Sequence, residues 1–182
     1  MPEKPDKLTP VSATGYRLVA MTLVALATLY ASLVALNNMT DYESNFQFVQ
    51  HVLTMDTTFP GNRLMWRAIV SPIWHHICYL GIIAAESLVA LLGWISLVGM
   101  WRARHDAGRF HTRKRLASLA LTLGIILWFG GFIVIGGEWF LMWQSEVWNG
   151  TESAFRISAV FTLFLVFLNL GPVPVENESV SQ

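Results

Sequence analysis

Four long apolar runs constrain this chain more than any other feature. They cover residues 17–36, 72–100, 116–143 and 155–170. The hydrocarbon core of a bilayer is about 30 Å thick, so a helix crosses it with roughly 20 mostly apolar residues. The first three runs reach that length, and the fourth is short but rich in Phe, Leu and Val. The sequence therefore predicts an all-α polytopic membrane protein built as a four-helix bundle.

Composition and length agree with a single membrane domain. Charged residues make up 13% of the chain, against about 25% in an ordinary soluble domain. We assign residues 17–170 to the membrane domain, and residues 1–16 and 171–182 to cytoplasmic tails that we expect to be disordered. The first apolar run is longer than the roughly 7–15 residues of a signal-peptide core, so we expect a retained span.

The basic residues are concentrated in one connection, residues 101–115. This connection contains six basic residues and a single acidic residue, Asp106. The basic residues are Arg102, Arg104, Arg109, Arg113, Lys114 and Arg115. Short loops rich in Lys and Arg stay in the cytoplasm, which predicts a multi-pass protein with both termini cytoplasmic. A second interpretation is that this loop docks on anionic lipid or a partner. Because basic residues flank spans rather than cover a soluble face, we expect no nucleic-acid binding.

The outer segment, residues 37–71, contains more pattern than a simple connector. Apolar residues follow helical spacing at Phe46, Val49, Val52 and Leu53, and Asp41 or Ser44 is a candidate N-cap. This helix is too polar to span, so we expect it along the outer surface or folded over the bundle. Residues 57–62 predict a turn. Asn62 is then expected to cap a second helix that starts at Arg63 and runs into the second span with a bend near Pro72.

Three segments of the chain are distinctive: NNMTDYESNFQFVQHVLTMDTTFPGN, LMWRAI and HHICYLGIIAAE. With them, most of the chain from the first span to the fourth resembles an uncharacterised bacterial family of predicted small integral membrane proteins. The resemblance implies a four-span protein of the bacterial inner membrane. It brings no established activity.

Glu86 is the deepest ionisable residue in the predicted spans, where a charge costs at least about 2.5–3.5 kcal/mol on insertion scales. Helical periodicity places His75 and Tyr79 on its face of the helix. His75 is nevertheless about 16 Å from Glu86 along the axis, so these two side chains cannot touch. Glu86 is either a structural carboxyl packed inside the bundle or part of a proton or cation relay.

Glu138, near the outer end of the third span, is predicted at the depth of His75 and His76. An interhelical His–Glu pair is one interpretation, helped by close approach at Gly81, Gly130, Gly131, Gly136 and Gly137. A metal site is the other, but adjacent helical histidines diverge by about 100° and would need His51 or Asp56 folded down from outside. Asp56, Arg63 and Arg67 read as a salt-bridged cap on the bundle, or as a substrate site.

No enzyme motif is present in the sequence, and we predict no catalytic residue, cofactor or metal. The expected function is that of a non-enzymatic accessory or assembly subunit of a larger membrane complex. One alternative is a small oligomeric transporter or ion-conducting protein that uses Glu86. Another is a membrane oxidoreductase or quinone-binding component. The expected partners are the lipid bilayer and either a membrane protein or further copies of this chain.

Overall fold

The computed structural model describes residues 13–171 and is helical throughout its regular structure. Four of its helices are long and apolar enough to cross a membrane, which confirms the predicted bundle. The helices are α1 (Ala13–Thr40), α2 (Tyr42–Thr54), α3 (Pro72–Arg102), α4 (Ala107–Ile125) with its π-helical continuation Ile126–Trp139, and α5 (Thr151–Asn169). The expected disorder of the tails concerns residues 1–12 and 172–182, which lie outside the described residues.

Helix α3 packs between α1 and α4, and α5 closes the bundle against α4 and the π-helical segment. Glycine allows close helix contacts at Gly93 and Gly124. A Cβ atom on Gly93 would overlap Thr28 of α1, and one on Gly124 would overlap Phe161 of α5. Phe161 also meets Trp128 edge-to-face, with ring centroids 5.2 Å apart. The close approach expected at Gly81 is wrong, because nothing lies within 4 Å of a Cβ placed there.

The helices that cross the membrane are longer than predicted, and the basic loop is correspondingly shorter. Helix α3 continues to Arg102 and α4 begins at Ala107, so residues 103–106 alone connect them instead of residues 101–115. Asp106 caps α4, since its side chain accepts a hydrogen bond of 2.9 Å from the backbone N–H of Arg109. The basic residues Arg109, Arg113 and Arg115 tolerate this helical setting because they are exposed. Long basic side chains can pack their apolar stems along a helix while their charges reach water.

The predicted outer helix is confirmed as α2. Its four apolar positions, Phe46, Val49, Val52 and Leu53, are all buried. Asp41 occupies the N-cap position, but its side chain makes no capping hydrogen bond. The helix ends at Thr54, and its C-cap, Met55, adopts a left-handed backbone conformation with φ of 56°.

The prediction of a second outer helix is wrong, because only one helical turn forms there. This is a 3₁₀ turn, Met65–Arg67, and its N-cap position is Leu64 instead of Asn62. The Asn62 side chain accepts a 2.9 Å hydrogen bond from the N–H of Leu64, in the turn before it. The chain then becomes extended, and the N–H of Ile69 bonds to the carbonyl of Leu53 at 2.8 Å. Pro72 disfavours helical geometry in the residue before it, so α3 starts afresh at Pro72 instead of continuing an outer helix.

Lys114 is buried and joins three helices at the end of the bundle that carries the basic residues. Nζ of Lys114, on α4, donates to the carbonyl oxygen of Leu168 at 2.8 Å, and the hydroxyl of Tyr16 on α1 donates to the same oxygen at 2.7 Å. This carbonyl belongs to the last turn of α5, where helix carbonyls lack partners and the helix dipole favours a cation. The contact ties α1, α4 and α5 together.

Candidate functional site: the buried Glu86 network

Glu86 lies on the buried face of α3 with two other sequence-predicted residues. His75, Tyr79 and Glu86 are each 1% exposed, which confirms that they share the inward face of the helix. Ile83 and Val89, three residues before and after Glu86 on the same helix, are also buried. The carboxyl group is therefore held inside the bundle rather than towards lipid.

Asn38 of α1 is the direct partner of Glu86. Its Nδ2 atom donates to Oε2 of Glu86 at 2.7 Å, and Asn38 is itself buried. Its backbone carbonyl accepts a 3.2 Å hydrogen bond from the hydroxyl of Tyr79. A buried polar group needs such partners because water cannot replace them in an apolar interior.

Further aromatic and polar groups continue from Tyr79 towards α2 and an exposed end of the bundle. The ring of Tyr42, the first residue of α2, lies with its centroid 4.7 Å from that of Tyr79. The Tyr42 hydroxyl lies 2.8 Å from Nδ1 of His76, which is exposed. Burial, and to a lesser extent the Glu43 carboxylate, raises the pKa of Tyr42, so its phenol stays protonated and can donate to His76. We call Glu86, Asn38, Tyr79, Tyr42 and His76 the polar ladder.

The polar ladder lies in the half of the molecule that contains α2. Asn38 belongs to the last turn of α1, so the contact places Glu86 level with the C-terminal end of that helix. From Glu86 to Arg102 at the other end of α3, the distance along the axis is about 24 Å at 1.5 Å per residue. Helix α2 packs against the part of α3 that extends past the end of α1.

The two adjacent histidines have separate environments, as their angular divergence predicts. Nε2 of His75 donates to the carbonyl of Ile69 at 2.7 Å, while its Nδ1 is buried without a hydrogen-bond partner among the described residues. His76 instead stacks on Phe46, with ring centroids 4.1 Å apart. His75 therefore fastens the extended segment before α3, and His76 ends the polar ladder.

The structure does not bring Glu138 to either histidine. Glu138 is exposed, and both histidines are held by other groups. An apolar cavity of about 340 Å³ separates α3 from the π-helical segment, with Cys78 and Gly81 on one wall and Gly131 and Phe132 on the other. Glu138 was placed by its depth alone, and depth does not give the face of the helix to which a side chain belongs. The i→i−5 hydrogen bonds of a π-helix also change which residues share a face.

The outer-segment candidates lie in separate contacts, and among the described residues no ion pair joins Asp56 to Arg63 or Arg67, the three residues of the expected cap. His51 pairs with Asp56, with Nδ1 and Oδ2 2.8 Å apart, and stacks on Trp148 with centroids 4.6 Å apart. The guanidinium of Arg67 lies 4.5 Å from the ring centroid of Trp139 and donates to the Trp139 carbonyl at 3.3 Å. Arg63 is exposed. Within residues 13–171, no three His, Cys, Asp or Glu side chains are grouped as a metal site would require.

Sequence reasoning missed three members of these networks. Asn38 and Tyr42 flank the junction of α1 and α2, and Lys114 was counted as a solvated loop residue. A signal for Asn38 existed, since an amide near the end of an apolar run is costly in lipid unless it finds a partner. Nothing in the local sequence marks Lys114, because its acceptor is a main-chain carbonyl of a distant helix.

A family model described as "Predicted small integral membrane protein (DUF2165)" matches residues 16–171, which include all four long apolar helices and the complete polar ladder. No curated protein and no solved structure gives a significant match. Since the family model spans most of the chain, this protein belongs to the DUF2165 family of small integral membrane proteins.

Proposed function

We propose that this protein is a non-enzymatic accessory subunit that docks on a larger membrane complex through its outer surface. The observation that carries the proposal is a set of exposed side chains on two connections between spans and on the last residue of the π-helical segment. We call this set the aromatic outer face. Its members are Phe59, Trp66, Trp139, Trp143 and Val147. Trp66 is 70% exposed and Val147 is 75% exposed, although both are large and apolar.

The aromatic outer face is held in place by contacts between its segments. The N–H of Phe59 donates to Oε1 of Gln144 at 3.0 Å. The ring of Phe59 meets Trp143 edge-to-face at 5.7 Å, and Trp66 meets Trp139 in the same way at 5.9 Å. A surface arranged in advance loses little conformational entropy on binding, which favours association.

The composition of this face supports protein contact. Trp, Phe and Arg are enriched at the centres of protein interfaces, and Arg67 lies against Trp139 within it. Aromatic rings also anchor helix ends among lipid headgroups, which is the competing explanation. The two explanations differ in their consequence for a bound partner: only protein contact predicts that the partner is lost when one indole ring is removed.

The test is native mass spectrometry of tagged protein extracted in mild detergent from its own membrane. We expect a partner at fixed stoichiometry, lost in Trp66→Ala and retained in Trp101→Ala. Trp101 is the matched control because it is 56% exposed but lies at the opposite end of the bundle. A chain found alone, or a partner retained by both variants, would overturn the proposal.

We further propose that the membrane is the bacterial inner membrane and that both termini are cytoplasmic. The support is the position of the charges. Arg102, Arg109, Arg113 and Arg115 lie at the ends of α3 and α4 that adjoin the connection at residues 103–106. Lys and Arg in short connections favour the cytoplasmic side.

The polar ladder favours a second candidate function, a proton-coupled carrier. A carboxyl group inside a membrane bundle, followed by groups that lead to exposed His76, is an arrangement that proton relays use. The test is proton flux into liposomes containing the purified protein. Glu86→Gln should abolish flux while Glu138→Gln, which alters an exposed carboxyl, should leave it unchanged; flux through the Glu86→Gln protein would rule this function out.

A further inference from the structure

A large groove opens between α3 and α4 at the end of the bundle that carries the basic residues. Its volume is about 930 Å³. We call it the basic groove. Six lining residues define its character: Trp94, Ile95, Val98, Arg102, Arg109 and Arg113.

The basic groove is divided along its length into an apolar part and a charged part. Trp94, Ile95 and Val98 belong to the apolar span of α3, and all three are exposed. Arg102 is in the last turn of α3, and Arg109 and Arg113 are in the first turns of α4. The apolar wall therefore lies at membrane depth, and the arginines lie where the helices leave the membrane.

Positive charge in the groove exceeds the negative charge available to neutralise it. Asp106 is the acidic residue of the adjoining connection, and its Oδ2 lies 3.4 Å from Nε of Arg109. The stem of Arg113 lies against Gly99, whose missing side chain makes room for it. Within residues 13–171, no carboxylate forms an ion pair with Arg102 or Arg113.

We propose that the basic groove binds an anionic phospholipid of the adjoining leaflet. The phosphate is held by Arg102, Arg109 and Arg113, and one acyl chain lies along Trp94, Ile95 and Val98. Arginine suits phosphate because its planar guanidinium donates two parallel hydrogen bonds. An acidic protein segment would satisfy the arginines but would leave the apolar wall unused. This lipid site is independent of the proposed role as an accessory subunit.

The test measures lipid retention by native mass spectrometry on the full chain in detergent with added phosphatidylglycerol. Arg113→Gln should weaken binding about fivefold, since one basic residue near a membrane surface contributes about that factor. Arg115→Gln is the matched control: it makes the same change on the same helix, at an exposed position outside the groove. We expect it to leave retention unchanged.

Two further measurements distinguish a lipid bound in the groove from a lipid attracted by the general positive charge of this end of the protein. Thr112→Trp places an indole ring in the groove and keeps every arginine, so it should abolish retention. Phosphatidylcholine with the same acyl chains should bind more weakly than phosphatidylglycerol in the unchanged protein. Equal losses in Arg113→Gln and Arg115→Gln, or full retention in Thr112→Trp, would overturn the proposal and leave the groove to an acidic partner segment or to no ligand. Circular dichroism and gel filtration establish that each variant is folded.

Discussion

Asn38 and Glu86 show how one hydrogen bond between side chains links two membrane helices. Each residue alone would be a costly polar group in an apolar environment, and together they satisfy one another across α1 and α3. Tyr79 adds a second connection through the Asn38 carbonyl. The depth of Glu86 was predictable from the sequence, whereas its partner was not, because helical periodicity gives the face of one helix and says nothing about which helix lies opposite.

Replacement of Asn38 should destabilise the protein more than neutralisation of Glu86. Asn38→Leu removes the donor and leaves the Glu86 carboxyl unpaired, whereas Glu86→Gln retains an oxygen that can accept from Asn38. Interhelical hydrogen bonds in membrane proteins contribute about 0.6–1.7 kcal/mol. Thermal unfolding in mild detergent should show a clearly lower midpoint for Asn38→Leu than for Glu86→Gln. The reverse order would show that this bond does not hold the helices together.

A second prediction about stability concerns Lys114, at the other end of the bundle. Lys114→Met keeps the length of the side chain but removes the donor to the Leu168 carbonyl. We expect a loss of about 1–3 kcal/mol, because a hydrogen bond from a charged donor is stronger than a neutral one. Arg115→Met, at the exposed neighbouring position, should have little effect on denaturant unfolding. Similar losses in both variants would assign the effect to net charge.

At the scale of helices, the sequence predicted where a helix is present better than it predicted the length or the type of that helix. Helix α2 was predictable because its apolar residues alternate with polar ones at helical spacing. The π-helical segment Ile126–Trp139 was not, because an almost uniformly apolar run contains no periodic contrast from which a helical phase can be read. The extension of α4 back to Ala107 was missed for a related reason, since charged residues at a membrane boundary fit a loop and a helix equally well.

Glycine positions give the sharpest test of helix packing. Gly93→Ala should lower stability by about 1–3 kcal/mol, because its Cβ would overlap Thr28 and force α1 and α3 apart. Gly81→Ala on the same helix faces open space and should be neutral or mildly stabilising. Unfolding midpoints of the two variants in the same detergent make the comparison. A well-tolerated Gly93→Ala would mean that α1 and α3 are packed less closely than described.

At the scale of the whole molecule, the four-span architecture followed from apolar run length, since bilayer thickness sets the length of a spanning helix. Orientation is a separate question, decided by charge outside the spans. The pairing of α1 with α3, and the position of α2 against α3, arise from long-range contacts that no single run of sequence encodes.

The proposed orientation predicts where thiol reagents reach the chain in intact cells. In a Cys78→Ser background, Arg63→Cys should react with a membrane-impermeant maleimide, and His105→Cys should react only after the cells are opened. Both positions are exposed and lie in connections between spans on opposite sides. Labelling of the His105→Cys protein in intact cells would reverse the proposed topology.

The position of Cys78 makes the apolar cavity between α3 and the π-helical segment accessible to chemical labelling. It is the only cysteine of the chain, and it lies in the cavity wall beside Ile82 and across from Phe132. One small thiol-reactive fluorophore or spin label would therefore attach at a single known place without any mutation. Its emission wavelength or its accessibility to oxygen would report directly whether lipid, water or a bound molecule fills that space in the living membrane.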